Sequence, residues 1–229
     1  EPTGKLTINS NAALTVQNAF VNKGNAVNVV VESDGNLIQV NENPTINSGS
    51  ITVKRDINVS AGRQQYNYII SPVENQNLRT IYPGIEQVIY HSEASNYFYN
   101  SSGAYIKGRA LAVKEPKASV VLDPQNSKIP ALFTGYPTNG AFTFTIANSN
   151  PLNMQRGFNL VGNPYPSNMD LIEFYKLNGG SSGPLSSTFN LWDNRANSQI
   201  KQMGDNYGGQ AYTTFNVATP PTSGTGTLA

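Results

Sequence analysis

Val29-Val30-Val31-Glu32-Ser33-Asp34-Gly35-Asn36-Leu37 restates the pattern of the earlier run Leu6-Thr7-Ile8-Asn9-Ser10-Asn11-Ala12-Ala13-Leu14. Leu6 falls on Val29, Ile8 on Val31 and Leu14 on Leu37, and a polar corner separates the two apolar segments of each copy. A third copy follows at nearly the same interval, taking Val29 to Ile51, Val31 to Val53 and Leu37 to Val59, while Asn22-Lys23-Gly24 and Asn47-Ser48-Gly49 punctuate the gaps. Short i, i+2 apolar pairs returning at a period in the low twenties are the pattern of a parallel β-solenoid, whose coils stack at ~4.8 Å. An antiparallel meander also brings strands back every ~8–12 residues. It does not require equivalent positions to return after three turns. Residues 1–62 therefore read as about two and a half solenoid coils, the end of a longer stalk. So short a stack needs neighbours, because about three repeats are required for stability. The expectation is that preceding coils lie before Glu1 and that the downstream residues cap the other end.

From Gln64 the pattern changes to longer, aromatic-rich strands. The candidates are Tyr66–Val73, Gln87–Tyr90, Asn96–Tyr99, Gly108–Val113, Ser119–Leu122, Ala131–Tyr136 and Ala141–Ile146. Turn signals such as Ser101-Ser102-Gly103 and Thr138-Asn139-Gly140 separate some of them, and Asn139-Gly140 reads as a hairpin because both residues accept positive φ. Many short strands between turns indicate an antiparallel sandwich of jelly-roll type. The chain is thus expected to be all-β, with the solenoid at 1–62 and a sandwich at 63–229.

The sharpest local pattern is Gly157-Phe158-Asn159-Leu160-Val161-Gly162-Asn163-Pro164-Tyr165-Pro166-Ser167. Phe158, Leu160 and Gly162 alternate with Asn159 and Val161, which predicts a strand with one face on a core. Pro164 and Pro166 then remove backbone donors and fix φ, ending the ladder in a rigid corner. Ser167 with Asp170 reads as a helix-capping pair ahead of Leu171, Ile172 and Tyr175, which share one helical face.

This run, followed closely by an Asp, resembles a GFNLVGNPYPS-type segment of large surface and secreted proteins exported by the type IX secretion system of the Bacteroidetes. Tyr68-Ile69-Ile70-Ser71-Pro72-Val73 upstream and Leu191-Trp192-Asp193 downstream resemble that family's flanking strands, in the same order. The resemblance implies an adhesin-like module at the cell surface, attached to the outer membrane, with the export machinery as a partner recognised through regions outside this chain. The family's Gly-Gly-Phe-Phe-Val strand and C-terminal sorting domain do not occur before Ala229. A mature or excised piece of something longer is expected, since the chain also begins without Met or signal peptide.

Composition narrows the chemistry. Among 229 residues, 13% are charged and the net charge is +1, which gives no footprint for nucleic acid. Thirty Asn favour corners and turns. Without Cys there are no disulfides, thiol nucleophiles or thiolate metal sites. No apolar run is long enough to insert as a membrane helix. His91 is the sole histidine, so any Ser-His-Asp triad would have to be built on it, and its neighbours Tyr90, Ser92 and Glu93 read as a strand end. Asp170 and Glu173 fit helix capping better than paired acid/base catalysis. Asp34, Asp123, Asp193 and Asp205 are isolated, leaving incidental Ca²⁺ as the one cofactor the oxygen ligands suggest. Gly179-Gly180-Ser181-Ser182-Gly183 lacks the lysine of a phosphate loop.

Aromatic residues carry the binding argument. Tyr97 and Tyr99 fall on one face of a strand, where they would offer stacking platforms to a glycan, against the ordinary role of aromatics on half-buried sheets. Trp192, beside Phe189 and Leu191, reads as core. Three functions follow: a non-enzymatic surface module, a carbohydrate-binding module using the tyrosines, and part of a polysaccharide-degrading enzyme. The coils carry mostly Asn, Thr and Ser, which counts against the last.

Overall fold

The computed structural model describes residues 4–58, 66–114, 128–192, 202–203, 206–207 and 212–218. Val59 of the third repeat, the Ser119–Leu122 strand, and Asp123, Asp193 and Asp205 lie outside the described residues. The chain is mostly β and divides into two compact units, Glu1–Asn168 and Met169–Ala229. The strands of the first unit are β1 (Leu6–Ile8), β2 (Ala13–Val16), β3 (Val29–Val31), β4 (Asn36–Gln39), β5 (Ile51–Asn58), β6 (Tyr66–Ile69), β7 (Val88–Ser92), β8 (Tyr97–Asn100), β9 (Leu111–Lys114) and β10 (Lys128–Gly135).

The repeat is visible in the strand register. β1 pairs with β3 in parallel, Leu6 opposite Val29 and Ile8 opposite Val31, and β2 pairs with β4 in parallel, Leu14 opposite Leu37. β3 continues in parallel onto β5, with Val31 opposite Val53. The polar corners repeat as well. Asn11 and Asp34, at equivalent places in the first two copies, both adopt left-handed backbone at φ 61° and 63°, a conformation that Asn and Asp tolerate through local side-chain hydrogen bonding. The corners are tied to each other: the Asn11 N–H donates to the Asp34 carbonyl at 3.2 Å and the Asn36 N–H to the Ala12 carbonyl at 2.9 Å.

The third copy keeps the first strand and drops the corner. Asp56, the counterpart of Asp34 in that copy, sits inside β5 opposite Pro130, and all of β5 runs on as the antiparallel partner of β10. A long ladder with β10 replaces the bend, giving a four-stranded sheet in the order β1-β3-β5-β10. Strands from either side of residue 62 thus share one sheet, and the division between compact units falls at Asn168/Met169.

β6-β9-β7-β8 form a second four-stranded sheet, entirely antiparallel. Both sheets feed one core. Ile8, Val31, Val53 and Phe133 of the first meet Val88, Leu111 and Val113 of the second, with Val73 and Ile81 from the connecting segment. Phe133 is the largest of the fully buried side chains among the described residues.

Two strand expectations change. Ala141–Ile146 keeps its alternation, with Phe142, Phe144 and Ile146 half-buried, but belongs to no ladder. The reason lies in the turn before it. Thr138 and Asn139 are buried rather than at a hairpin tip: Asn139 Nδ2 donates to the Asn41 carbonyl at 2.8 Å and Gln39 Nε2 to the Thr138 carbonyl at 3.3 Å. The chain is held against the turn after β4 and does not fold back along β10. The second change, at Phe158–Gly162, belongs with the surface that this segment borders.

The second unit contains α1 (Leu171–Leu177), β11 (Thr188–Trp192), β12 (Gln202–Met203), β13 (Asn206–Tyr207) and β14 (Tyr212–Asn216), with β11–β14 and β12–β13 paired antiparallel. Asp170 itself is the helix N-cap, its Oδ1 accepting from the N–H groups of Ile172 at 2.8 Å and Glu173 at 3.2 Å. The capping position is therefore Asp170 and not Ser167. Trp192 is half-buried, edge-on to Tyr212 at 5.1 Å, rather than core, because a two-stranded ribbon covers only part of so large a ring.

Candidate functional site

β7 and β8 pair with Tyr90 opposite Tyr99, Ser92 opposite Tyr97 and His91 opposite Phe98. Cross-strand partners share a face, so Tyr90, Tyr97 and Tyr99 project together and His91 and Phe98 project from the other side. The first face is that of the main core, against which Tyr90 packs. Towards edge strand β8 it emerges into solvent, leaving Tyr97 46% and Tyr99 43% exposed. The rings form a row: Tyr97 and Tyr99 meet edge to face at 5.2 Å, and Tyr99 and Tyr90 lie 5.8 Å apart. Arg109 extends it. Its guanidinium carbon stands 6.0 Å above the Tyr90 ring, within cation–π range. Arg109 is exposed and forms no ion pair among the described residues.

The Gly157–Ser167 segment borders this row. Its expected strand shrinks to one antiparallel bridge, Arg109 to Val161, flanked by Ala110 N–H to the Leu160 carbonyl and Gly162 N–H to the Gly108 carbonyl, both at 3.3 Å. Phe158 is 47% exposed instead of facing a core. Asn159 explains why, since its side chain exchanges two hydrogen bonds with the backbone of Ala147, at 3.0 and 2.8 Å, and takes the place of a ladder. Gly162 lies against the end of β6, where a Cβ would meet Ile70 Cγ2 at 2.7 Å.

The proline corner is rigid and packed. Asn163 Oδ1 accepts from Tyr165 N–H at 3.0 Å while its Nδ2 donates to the Ser167 carbonyl at 2.5 Å. Pro164 and Pro166 are buried, and the Tyr165 hydroxyl donates to the Gly140 carbonyl at 2.6 Å. Burial raises the Tyr165 phenol above its ordinary pKa, so it stays a donor. The Leu37 N–H donates to the Pro166 carbonyl at 2.8 Å and the Asn168 N–H to Asn36 Oδ1 at 2.6 Å. The corner thereby occupies backbone and side-chain groups of β4.

Glu93, in the β7–β8 turn, ties the loop before this segment. One carboxylate oxygen accepts from Gly157 N–H at 2.8 Å, Ser149 N–H at 3.0 Å and Ser149 Oγ at 3.1 Å. Gly157 has φ 84°, a backbone that favours glycine. The Gly157 and Ser149 amides hold the Glu93 carboxyl below the usual carboxylate pKa. A depressed folded pKa gives stability that is complete above the unfolded value of about 4.3 and is lost as pH falls through the folded one. The stability advantage of the native chain over Glu93→Gln, measured by urea unfolding, is expected to be constant near neutrality and to shrink on acidification below about pH 4.3. An advantage that stays level through that window would mean the carboxylate charge is irrelevant.

His91 Nε2 lies 3.1 Å from Asn96 Oδ1 and the ring rests on Phe98 at 5.0 Å, so its neighbours are an amide and an aromatic ring. Among the described residues no three His, Asp or Glu side chains gather to hold a metal. No helix among them is long and apolar enough to cross a membrane. A groove of about 360 Å³ is lined by Gly4, Val21, Asn22, Lys23, Gly24 and Asn28, none of them from the tyrosine row.

A family model described as "Domain of unknown function (DUF8693)" matches residues 1–227. The chain belongs to that family. No curated protein and no solved structure matches it.

For this DUF8693 chain the geometry adds Tyr90, Arg109 and Glu93 to the expected Tyr97 and Tyr99. Tyr90 was within reach of sequence reasoning, as an aromatic in the strand preceding Tyr97-Phe98-Tyr99 with a short turn between. Arg109 carried no local signal, because its place over Tyr90 depends on how β9 enters the sheet.

Proposed function

We propose that the chain is a non-enzymatic cell-surface module of a larger protein exported by the type IX system, in which short solenoid coils are closed by an antiparallel, sandwich-like region. The observation that carries this reading is the parallel, in-register return of Leu6 on Val29 and Leu14 on Leu37, followed by β5, which turns straight and is covered by β10. A stack of rungs gives reach, and a closing sheet protects its last open edge from further pairing. The GFNLVGNPYPS-like segment adds the export context. The test is protease shaving of intact native cells carrying the tagged parent protein. Surface digestion that disappears when the type IX apparatus is inactivated is the expected result; a tag that is never reached from outside overturns the proposal.

A second reading, carbohydrate binding, is favoured by the half-exposed Tyr97 and Tyr99 at the edge of an otherwise core-facing surface. Large rings in water are retained at binding sites, where Tyr supplies apolar area and a polar rim at low entropic cost.

A further inference from the structure

We infer that the Tyr97–Tyr99–Tyr90–Arg109 row binds acidic polysaccharide, with Arg109 as the contact that selects a carboxylate-bearing sugar. The inference rests on the carbohydrate-binding reading and adds a ligand class to it.

The row joins partly exposed aromatic rings to a cation that forms no ion pair among the described residues. Tyr97 and Tyr99 are each a little under half exposed and meet edge to face, so the pair offers solvent apolar ring surface together with phenolic hydroxyls, the combination that a pyranose with its C–H face and hydroxyl edge complements. The rings lie on a sheet face and not in a pocket, so the ligand they suit is one that lies along a surface, as an extended sugar chain does. Arg109 supplies charge. The guanidinium is planar, remains protonated, and offers a fork of donors that fits a carboxylate in bidentate fashion. Here it has no acidic partner among the described residues, and its guanidinium carbon stands 6.0 Å from the centre of the Tyr90 ring. Tyr90 is in turn fixed by the core.

The placement of Arg109 is built in. The bridge to Val161 and the flanking Ala110–Leu160 and Gly162–Gly108 hydrogen bonds fix the backbone on both sides of it. Gly108, at φ 88°, packs where a Cβ would lie 2.9 Å from Phe142 and Phe144. The Gly157–Gly162 segment therefore fixes where the Arg109 backbone stands beside the tyrosines. This is the preorganisation that converts contacts into affinity.

The test titrates the whole chain calorimetrically with an oligogalacturonate, with its carboxyl-reduced neutral counterpart, and with a Glu-rich peptide. The oligogalacturonate is expected to bind, more weakly as salt rises. Arg109→Gln is expected to lower that affinity about tenfold, the scale of one charged hydrogen-bonding contact, and Arg109→Lys to recover only part of it. Both changes are to a solvent-exposed side chain, and near-native melting of the variants separates lost binding from lost folding. Equal affinity for acidic and neutral sugars, unaffected by Arg109→Gln, overturns the inference while leaving carbohydrate binding in place. Binding of neither sugar removes both, and selective binding of the peptide reassigns the row to a protein partner.

Discussion

Phe133→Ala is expected to cost about 3–5 kcal/mol of unfolding free energy, the range for deleting a buried phenyl ring and leaving its cavity. Phe133 is fully buried, stands opposite Val53 in the β5–β10 ladder, and belongs to the cluster in which side chains of both four-stranded sheets meet. Few neighbours can collapse into the space, since β10 is held along one edge by β5 and beside the connecting segment by Leu132 N–H donating to the Ile81 carbonyl at 2.7 Å. Domains of this kind are stable by about 5–15 kcal/mol, so the change should remove a large fraction of the total. Urea unfolding of the first unit is the measurement. Phe133→Leu should cost much less by keeping most of the volume, and Thr134→Ala, at an exposed position whose N–H bond to Gln76 Oε1 survives the change, should cost almost nothing. A loss below about 1 kcal/mol for Phe133→Ala would mean that the sheets do not share a packed core there.

How much of this was legible depends on how local the signal is. The parallel registers were legible residue by residue, because a fixed period with apolar i, i+2 pairs leaves few ways to align Leu6-Thr7-Ile8 with Val29-Val30-Val31. The corners were legible for the same reason: only a few residue types accept the backbone that Asn11 and Asp34 adopt. What was not legible is where the repeat stops. Asp56 looks like Asp34 in sequence, yet it lies in a strand because β10, far later in the chain, offers β5 a continuous partner. Tertiary pairing overrides a local turn preference. The same competition undid the hairpin at Asn139-Gly140, whose buried amide finds Asn41. It also undid the strand at Phe158–Val161, where the Asn159 side chain takes over hydrogen bonds that a ladder would have made. Of the candidate surface, Tyr97 and Tyr99 followed from alternation alone. Arg109 stands over Tyr90 because of how β9 enters the sheet beside β7, which no spacing rule encodes.

Two glycines that sequence treats alike should respond differently to a methyl group. Gly24 and Gly49 end the equivalent triplets Asn22-Lys23-Gly24 and Asn47-Ser48-Gly49. At Gly49, φ is 86° and a Cβ would lie 1.9 Å from the Asn22 carbonyl oxygen, a backbone atom that has nowhere to go. This is the point where one corner rests on the next: Asn22 N–H donates to the Ser48 carbonyl at 2.9 Å, Ser48 N–H to the Phe20 carbonyl at 2.9 Å, and Asn22 Nδ2 to the Ser50 carbonyl at 2.7 Å. Gly49→Ala must therefore absorb left-handed strain of roughly 1–2 kcal/mol and also separate hydrogen-bonded corners at about 1 kcal/mol for each bond lost. A total of about 3 kcal/mol is expected, read as a fall in urea midpoint. At Gly24 the nearest obstacle is the end of the Asn28 side chain, at 2.9 Å, which can shift by giving up its bonds to the Asn25 N–H and the Gly4 carbonyl. Gly24→Ala should thus cost about 1–2 kcal/mol, less than Gly49→Ala, because a side chain and not the backbone gives way. Equal losses at the two positions would show that the corners do not bear on each other, and the proposed reading of the first residues as stacked coils would fail with them.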